Sequence, residues 1–394
     1  MTKLVLLSDS YWPLKGGIEE AVRLHAAFLS SRYDVSIVVH NYRSVSPGLY
    51  HQYAHGEKKR TYVDPSGKLV VSLGSSSFDS LKLLPLQLWN LPFAKRIGAA
   101  WLYDRLFLFY RLVFEKRLRK LIKQADIVHS YSTGYLARCA QLVCSDLGIS
   151  IVQTPAIHFG RWGDSPEQMK AYSSSDALVC VTQSFRGEYL SRIRGKVPRT
   201  EVIPPVMQDP ESAHLSKALV EGRFVLFLGR REIHKGFVEL IAAFSLLQST
   251  EKLVVAGPGP SLSGSPQNVI DLGIVDEKQK KWLLEHCECL CVPSRDETFG
   301  IVYAEAMSFA KPVVALDLPP MNEIIENNVS GMLLSSSEPK ELCRALSAML
   351  GNSGLRRAMG KAAKERFERF YSPNRTVSAI ERLYGELLEE RLGR

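Results

Sequence analysis

The stretch that most constrains this chain runs from Pro293 to Ala315, PSRDETFGIVYAEAMSFAKPVVA. It is preceded by an apolar run, Cys289 to Val292, that stops at Pro293-Ser294 and passes into a polar loop carrying Glu297 and Gly300. Apolar residues then recur at helical spacing through Ile301, Val302, Ala304 and Met307, and Pro312 opens another apolar run. Strand, loop, helix and strand in succession are the repeating unit of a parallel α/β sheet. Such a sheet takes its ligand outside the carboxyl ends of its strands. A helix starting near Thr298–Gly300 would turn its backbone N–H groups and the positive end of its dipole toward that place. Glu297 lies on the loop and Glu305 a turn into the helix, so both can face one pocket. Carboxylates repel phosphate, so the pair suits a ligand whose anionic centre is flanked by hydroxyl-bearing rings, as in a nucleotide sugar. A bare spacing of this kind would read as two solvated surface glutamates; the embedding strand, Gly300 and the helix favour a site.

A length of 394 residues predicts two domains. No apolar run is long enough for a membrane span, and the start, MTKLVLLSDSYWP, reads as a first strand instead of a signal peptide. Seven cysteines without framework spacing predict reduced thiols and a cytoplasmic protein. Cys287, Cys289 and Cys291 alternate as one face of a strand does, a better account than a metal site. The net charge of +9 is concentrated: residues 81–124 hold ten Lys or Arg against Asp104 and Glu115.

Along the chain, Lys3–Asp9 reads as the first strand and Ile18–Leu29 as the first helix, with Gly16 and Gly17 where a backbone could approach a phosphate or sugar closely. Asp34–Val39 follows as a strand ending at His40. The polar excursion with His51, His55 and Glu57–Arg60 carries no assigned chemistry, and Lys68–Leu73 reads as a short strand. In 81–124, Trp101, Leu102, Leu106, Phe107, Phe109, Tyr110, Val113 and Phe114 would form a broad apolar helix face, with Arg105, Arg111, Lys116, Arg119 and Lys123 opposite. Two readings stand there: a helix packed on its sheet with a solvated basic face, or an interfacial helix drawn to an anionic membrane. Nucleic acid is not expected, because no recognition motif organises the cations. ADIVHS, Ser150–Thr154, Asp176–Val181 and Glu201–Ile203 complete the first sheet, with His158 following one strand and His129 open between structural and site roles.

IPPVMQDP, 203–210, marks the boundary, giving domains 1–205 and 206–371 with a last helical segment 372–394. Phe224–Leu228 opens the second sheet, followed by GRREIHKGF and a helix Phe237–Leu247. Arg230 and Lys235 beside a helix opened by Gly236 make a diphosphate site by electrostatics. No Asp-x-Asp occurs, so those cations are expected to serve where other enzymes use a chelated metal.

PSxxETFGxxxxEAM, GR…KG and the early Gly-Gly together resemble the retaining glycosyltransferases of family 4, the glycosyl transferases group 1. The resemblance implies the GT-B fold, two Rossmann-like domains facing across a cleft, with the donor held mainly by the second. It implies that Arg230 and Lys235 neutralise the diphosphate with the backbone of Phe299, Gly300 and Ile301. Glu305 would accept from ribose hydroxyls and Glu297 from the transferred sugar, while Gly16, Gly17 and His158 close the site from the first domain. The expected activity is metal-independent transfer, with retention, from a UDP- or GDP-sugar to a glycan or lipid-linked acceptor at the membrane surface, with no cofactor. A GT-B epimerase or phosphorylase, or a non-catalytic nucleotide-sugar or glycan-binding protein, are the alternatives. The chain departs from the family at Pro205-Val206, where members carry a glycine, and at Leu318-Pro-Pro-Met, where members carry a glycine-rich turn.

Overall fold

The computed structural model describes residues 1–14, 16–40, 49–54, 60–90, 100–161, 163–247, 250–262, 264 and 266–393. The chain divides into two units: Met1–Val206 with Thr376–Arg394, and Met207–Arg375.

The first unit holds an eight-stranded sheet of β1 (Thr2–Ser8), β2 (Tyr33–Val39), β3 (Arg60–Val63), β4 (Leu69–Ser72), β5 (Ile127–Ser130), β6 (Ser150–Gln153), β7 (Ala177–Cys180) and β8 (Arg199–Val202). Their order is β3-β4-β2-β1-β5-β6-β7-β8, parallel throughout except that β3 runs antiparallel to β4. β1 lies in register from Thr2 opposite Tyr33 to Ser8 opposite Val39. The central strands are apolar along their length because helices cover both faces of a parallel sheet. On one face Leu4, Leu6, Ile37 and Val39 pack with Val22 and Leu29 of helix Gly17–Leu29 and with Ile380, Leu383, Tyr384 and Leu387 of the last helix, Pro373–Leu392. On the other, Val5, Leu7 and Val128 meet Leu106, Phe107, Tyr110, Phe114, Leu118 and Ile122 of helix Ala100–Ile122.

That helix answers the first of the two readings of the basic segment: it is a core helix. Three of its arginines are paired, Arg111 with Glu115 at 2.6 Å, Arg117 with Asp79 at 2.7 Å and Arg119 with Asp146 at 2.6 Å. Trp101, expected on the apolar face, is instead exposed, as are Leu108 and Leu112. The apolar residues outnumber the positions that one buried stripe offers, so some turn outward. Lys95 and Arg96 lie outside the described residues, as do His55 and 57–59.

The second unit is a six-stranded parallel sheet of β9 (Phe224–Leu228), β10 (Lys252–Ala256), β11 (Val269–Gly273), β12 (Cys289–Cys291), β13 (Val313–Leu316) and β14 (Gly331–Leu334), ordered β11-β10-β9-β12-β13-β14. Cys287 does not join β12 as its alternation suggested. It ends helix Glu277–His286, although it is buried like Cys289 and Cys291. Six of the seven cysteines are buried and Cys343 is the partly exposed one. The polar helical stretch after Leu342 is two helices, Pro339–Gly351 and Ser353–Phe370, divided at Asn352, whose side chain accepts from Leu355 N at 2.9 Å. No described helix is long and apolar enough to cross a membrane.

Candidate active site

Strand order locates the site before any side chain does. From β9 the chain winds outward through β10 to β11, then returns to the other side of β9 at β12. The crossovers on the two sides of β9 leave in opposite directions, so a crevice opens beyond the carboxyl ends of β9 and β12. The two loops there are GRREIHKG and PSRDETFG.

Glycines key these loops together. Gly236 has a φ of +71°, and a Cβ on it would stand 2.4 Å from the Pro293 carbonyl oxygen. A Cβ on Gly257, after β10, would meet the Gly229 oxygen at 2.1 Å, and one on Gly259 the Arg231 Cβ at 2.4 Å. Only hydrogen fits at each contact. Arg295 N donates to the His234 oxygen at 2.8 Å, fastening the loop after β12 to the short turn Ile233–Lys235. Arg231 is buried and reaches the Gly257 oxygen at 2.9 Å and Asp271 at 2.7 Å.

Within this frame Lys235 Nζ lies 2.7 Å from Glu297 Oε1, and the two side chains are only 14% and 11% exposed. Lys280 Nζ lies 2.8 Å from Glu305 Oε1 and 3.1 Å from Glu277. Burial opposes charge on Lys280, but Glu305 and Glu277 outweigh it and hold its pKa above the ordinary lysine value. The structure thus gives each glutamate its own lysine. Arg230 does not share the Lys235 pair: its guanidinium is largely exposed and bonded to Glu232 at 2.6 Å. Helix Ile301–Ser308 begins at Gly300, whose φ is +84°, and no side chain caps it. A Cβ on Gly300 would meet the Tyr303 ring at 2.5 Å, while Tyr303 Oη holds the Val292 carbonyl at 2.9 Å. Phe299 is buried with its ring 5.8 Å from that of Tyr371. Side-chain anchors thus hold the turn Phe299–Ile301 on both sides, at a helix start that no side chain caps.

In the first unit, Gly16 precedes helix Gly17–Leu29 in an extended conformation at the carboxyl end of β1. A side chain there would meet the Glu19 carboxylate, which the Ser10 hydroxyl also contacts. His158 is half-buried in the turn after β6, its carbonyl accepting from Arg161 N at 2.9 Å. His129 resolves as structural. Its ring is fully buried, 2.5 Å from Tyr384 Oη and 2.7 Å from Thr154 Oγ1. A cavity of about 200 Å³ lies at the amino ends of β6 and β7, lined by Ser150, Asp176, Glu390 and Arg391, where no site residue was expected.

Lys280 and Arg231 escaped the sequence reading. Lys280 meets its partner across 25 positions of chain. Arg231 had a signal: an acid, Asp271, inside a strand, and a doubled arginine of which one must turn inward.

A doubly wound sheet with glycine-keyed loops, part-buried lysine–carboxylate pairs and a helix start at its switch point places this unit among the α/β domains. Residues 216–366 match the model of the family described as glycosyl transferases group 1. A curated relative, the D-inositol 3-phosphate glycosyltransferase of Salinispora tropica, is 29% identical over 270 residues, 58% of this chain and 56% of that protein. The chain therefore spans little more than half the length of this relative. Among solved structures, Anabaena HepE in complex with UDP and glucose matches 98% of this chain and 100% of its own with a TM-score of 0.73 at 14% identity. Sucrose-phosphate synthase from Thermosynechococcus elongatus covers 98% and 100% with a TM-score of 0.70 at 15% identity. The fold is GT-B.

Proposed function

We propose that the chain is a glycosyltransferase that moves a sugar from a nucleoside-diphosphate sugar, UDP or GDP, to a glycan or lipid-linked acceptor. The observation that carries the reading is the Lys235–Glu297 pair, nearly enclosed at the switch point beside an uncapped helix start. A buried ion pair costs desolvation and is poor evidence of stability. It makes sense where a ligand will exchange partners with it. A diphosphate takes the Lys235 ammonium and the N–H groups of Phe299–Ile301, and Arg230, exposed on its loop, swings from Glu232 to the same phosphates. Glu297, released, accepts from hydroxyls of the transferred sugar, and Glu305, held upright by Lys280, accepts from the ribose.

The bond from the anomeric carbon to the diphosphate oxygen then breaks, and negative charge grows on a group already faced by fixed positive charge. Such preorganisation lowers the barrier without reorganisation at the moment of reaction. The acceptor oxygen bonds to the same face of the anomeric carbon, and its proton passes to the departing phosphate, so configuration is retained. In this reading Gly16 and Gly17 lie against the donor and His158 beside its sugar. Transfer in this form draws its positive charge from side chains and asks for no metal or cofactor.

The test is a thermal-shift panel of UDP, GDP, ADP and their sugars in chelator-containing buffer, on the wild type, Lys235→Met and Glu305→Ala. One nucleotide should raise the wild-type melting temperature by mass action. Loss of a charge-assisted bond should weaken that nucleotide ~10- to 100-fold in Lys235→Met. A panel that leaves wild type unmoved, or a variant that binds as wild type does, would sink the assignment. Binding with no product from any acceptor extract would favour the non-catalytic alternative.

A further inference from the structure

The cations of helix Ala100–Ile122 fall into two sets. Arg111, Arg117 and Arg119 are partly buried and ion-paired. Arg105, Lys116, Lys120 and, in the turn just after, Lys123 are exposed and make no ion pair among the described residues. The exposed apolar residues of the same helix are Trp101, Leu108 and Leu112, at 60%, 55% and 66% exposure. Positions 101, 105, 108, 112, 116, 120 and 123 are spaced by three or four, so at 3.6 residues per turn they occupy one sector of about 120° and run for about 33 Å. Both acids of the segment lie off this stripe: Glu115 bonds Arg111, and Asp104 accepts from Glu167 N at 3.3 Å. Within the sector Arg119 is neutralised by Asp146 of the neighbouring helix, leaving the other four cations unpaired among the described residues. Arg117 also ties the helix to Ser77–Lys82, which adds exposed Phe78 and Leu81, with Lys82 Nζ 4.7 Å over the Phe78 ring.

We propose that this stripe docks the protein on an anionic lipid bilayer, with Trp101, Leu108 and Leu112 entering the headgroup–acyl boundary and Arg105, Lys116, Lys120 and Lys123 meeting lipid phosphates. The inner face of the helix is fixed by the sheet, so the outer stripe is presented already folded, and binding needs no ordering of the segment. Interfacial helices use this composition, large apolar groups with flanking cations in excess over acids, in which the two contributions add. A nucleic-acid groove would use the cations but would leave two leucines, a turn apart, against water and phosphate. The inference goes beyond the donor site, and its failure leaves that site untouched.

Co-sedimentation of the full chain with phosphatidylcholine vesicles, with and without a third phosphatidylglycerol, tests it. Binding should require the anionic lipid and weaken in high salt. The variant Arg105→Gln/Lys116→Gln/Lys120→Gln/Lys123→Gln should lose about fivefold per cation, two orders of magnitude or more in all. Trp101→Ser/Leu108→Ser/Leu112→Ser, all at exposed positions, should also lose binding while keeping the wild-type melting temperature and nucleotide response. Absence of binding to anionic vesicles overturns the proposal. Retention by the serine variant overturns it too, because cations alone would then be acting, and retention of RNA by that variant would assign the stripe to nucleic acid.

Discussion

At the scale of single residues, Lys235 and Glu297 form an ion pair at 2.7 Å with both side chains mostly buried. Removing one leaves the other charge mostly buried and alone, so Lys235→Met and Glu297→Gln should each destabilise the second unit by roughly 2–4 kcal/mol. The double variant should cost less than the sum of the two, and a double-mutant cycle by thermal unfolding measures the difference. Gly236 supports a second prediction. Gly222 and Gly236 both have positive φ, +81° and +71°, but a Cβ on Gly222 meets nothing within 4 Å. Gly222→Ala should therefore cost only the backbone strain, about 1 kcal/mol. Gly236→Ala must also push Pro293 away, and should cost more and abolish the nucleotide shift. Glu297, Arg230 and Lys235 stood out in the sequence because charge in a loop after an apolar run is visible there, and Glu305 because it sits a turn into the helix that follows. Which cation faces which carboxylate was not visible. Arg230 points to Glu232 and Lys280 reaches Glu305 only because helix Glu277–His286 is brought alongside Ile301–Ser308 by the return of the chain to β12.

At the scale of elements, the last helix is the clearest case of a long-range tie. Tyr384 carries one hydroxyl between two buried imidazoles, 2.5 Å from His129 Nδ1 and 3.2 Å from His25 Nε2. Tyr384→Phe keeps the ring and strips both histidines of that partner. It should cost about 1–3 kcal/mol, the penalty for buried polar groups left unsatisfied, read as a lower urea midpoint for the first unit. The spacing of Val377, Ile380, Leu383, Tyr384 and Leu387 made this helix legible and Leu4 and Ile37 made its sheet legible, yet nothing in either predicts that His129 waits beneath it. Helix Ala100–Ile122 shows the opposite limit. Its sequence is apolar on too many sides for periodicity to choose the buried stripe, and only the sheet beneath, with Leu7 and Val128, selects Leu106, Tyr110 and Phe114 over Leu108 and Leu112. Edge strand β3 was missed for a related reason: four residues, none buried, carry no apolar signal.

For the whole molecule, acid should act on the two units unequally. His25 and His40 are fully buried in the first unit, and burial lowers their pKa from 6.5 to about 3; His129 is lowered as well, by burial first and then by His25. An unfolded chain takes up protons at these imidazoles below about pH 6.5, and the native fold does not until near pH 3. Their contribution is therefore complete above pH 6.5 and is lost as pH falls toward 3, by up to about 1.4 kcal/mol per histidine per pH unit. Calorimetry at pH 7.5 and 5 should show the first unit's transition falling well ahead of the second's, the latter recognised as the one a nucleotide protects. Equal movement of both would mean that the histidines are not held neutral. The division into two α/β units was readable from IPPVMQDP and the restart at Phe224. The place of the candidate site was readable in outline only, because a switch point is a property of strand order, which no local pattern encodes.

Of the seven thiols, six are enclosed by the sheets and helices that bury them, and Cys343, on helix Pro339–Gly351, alone reaches solvent. The native protein accordingly comes with a ready attachment point: a maleimide dye added under folding conditions should label one position, in the unit that carries Glu297, with no substitution needed to place it.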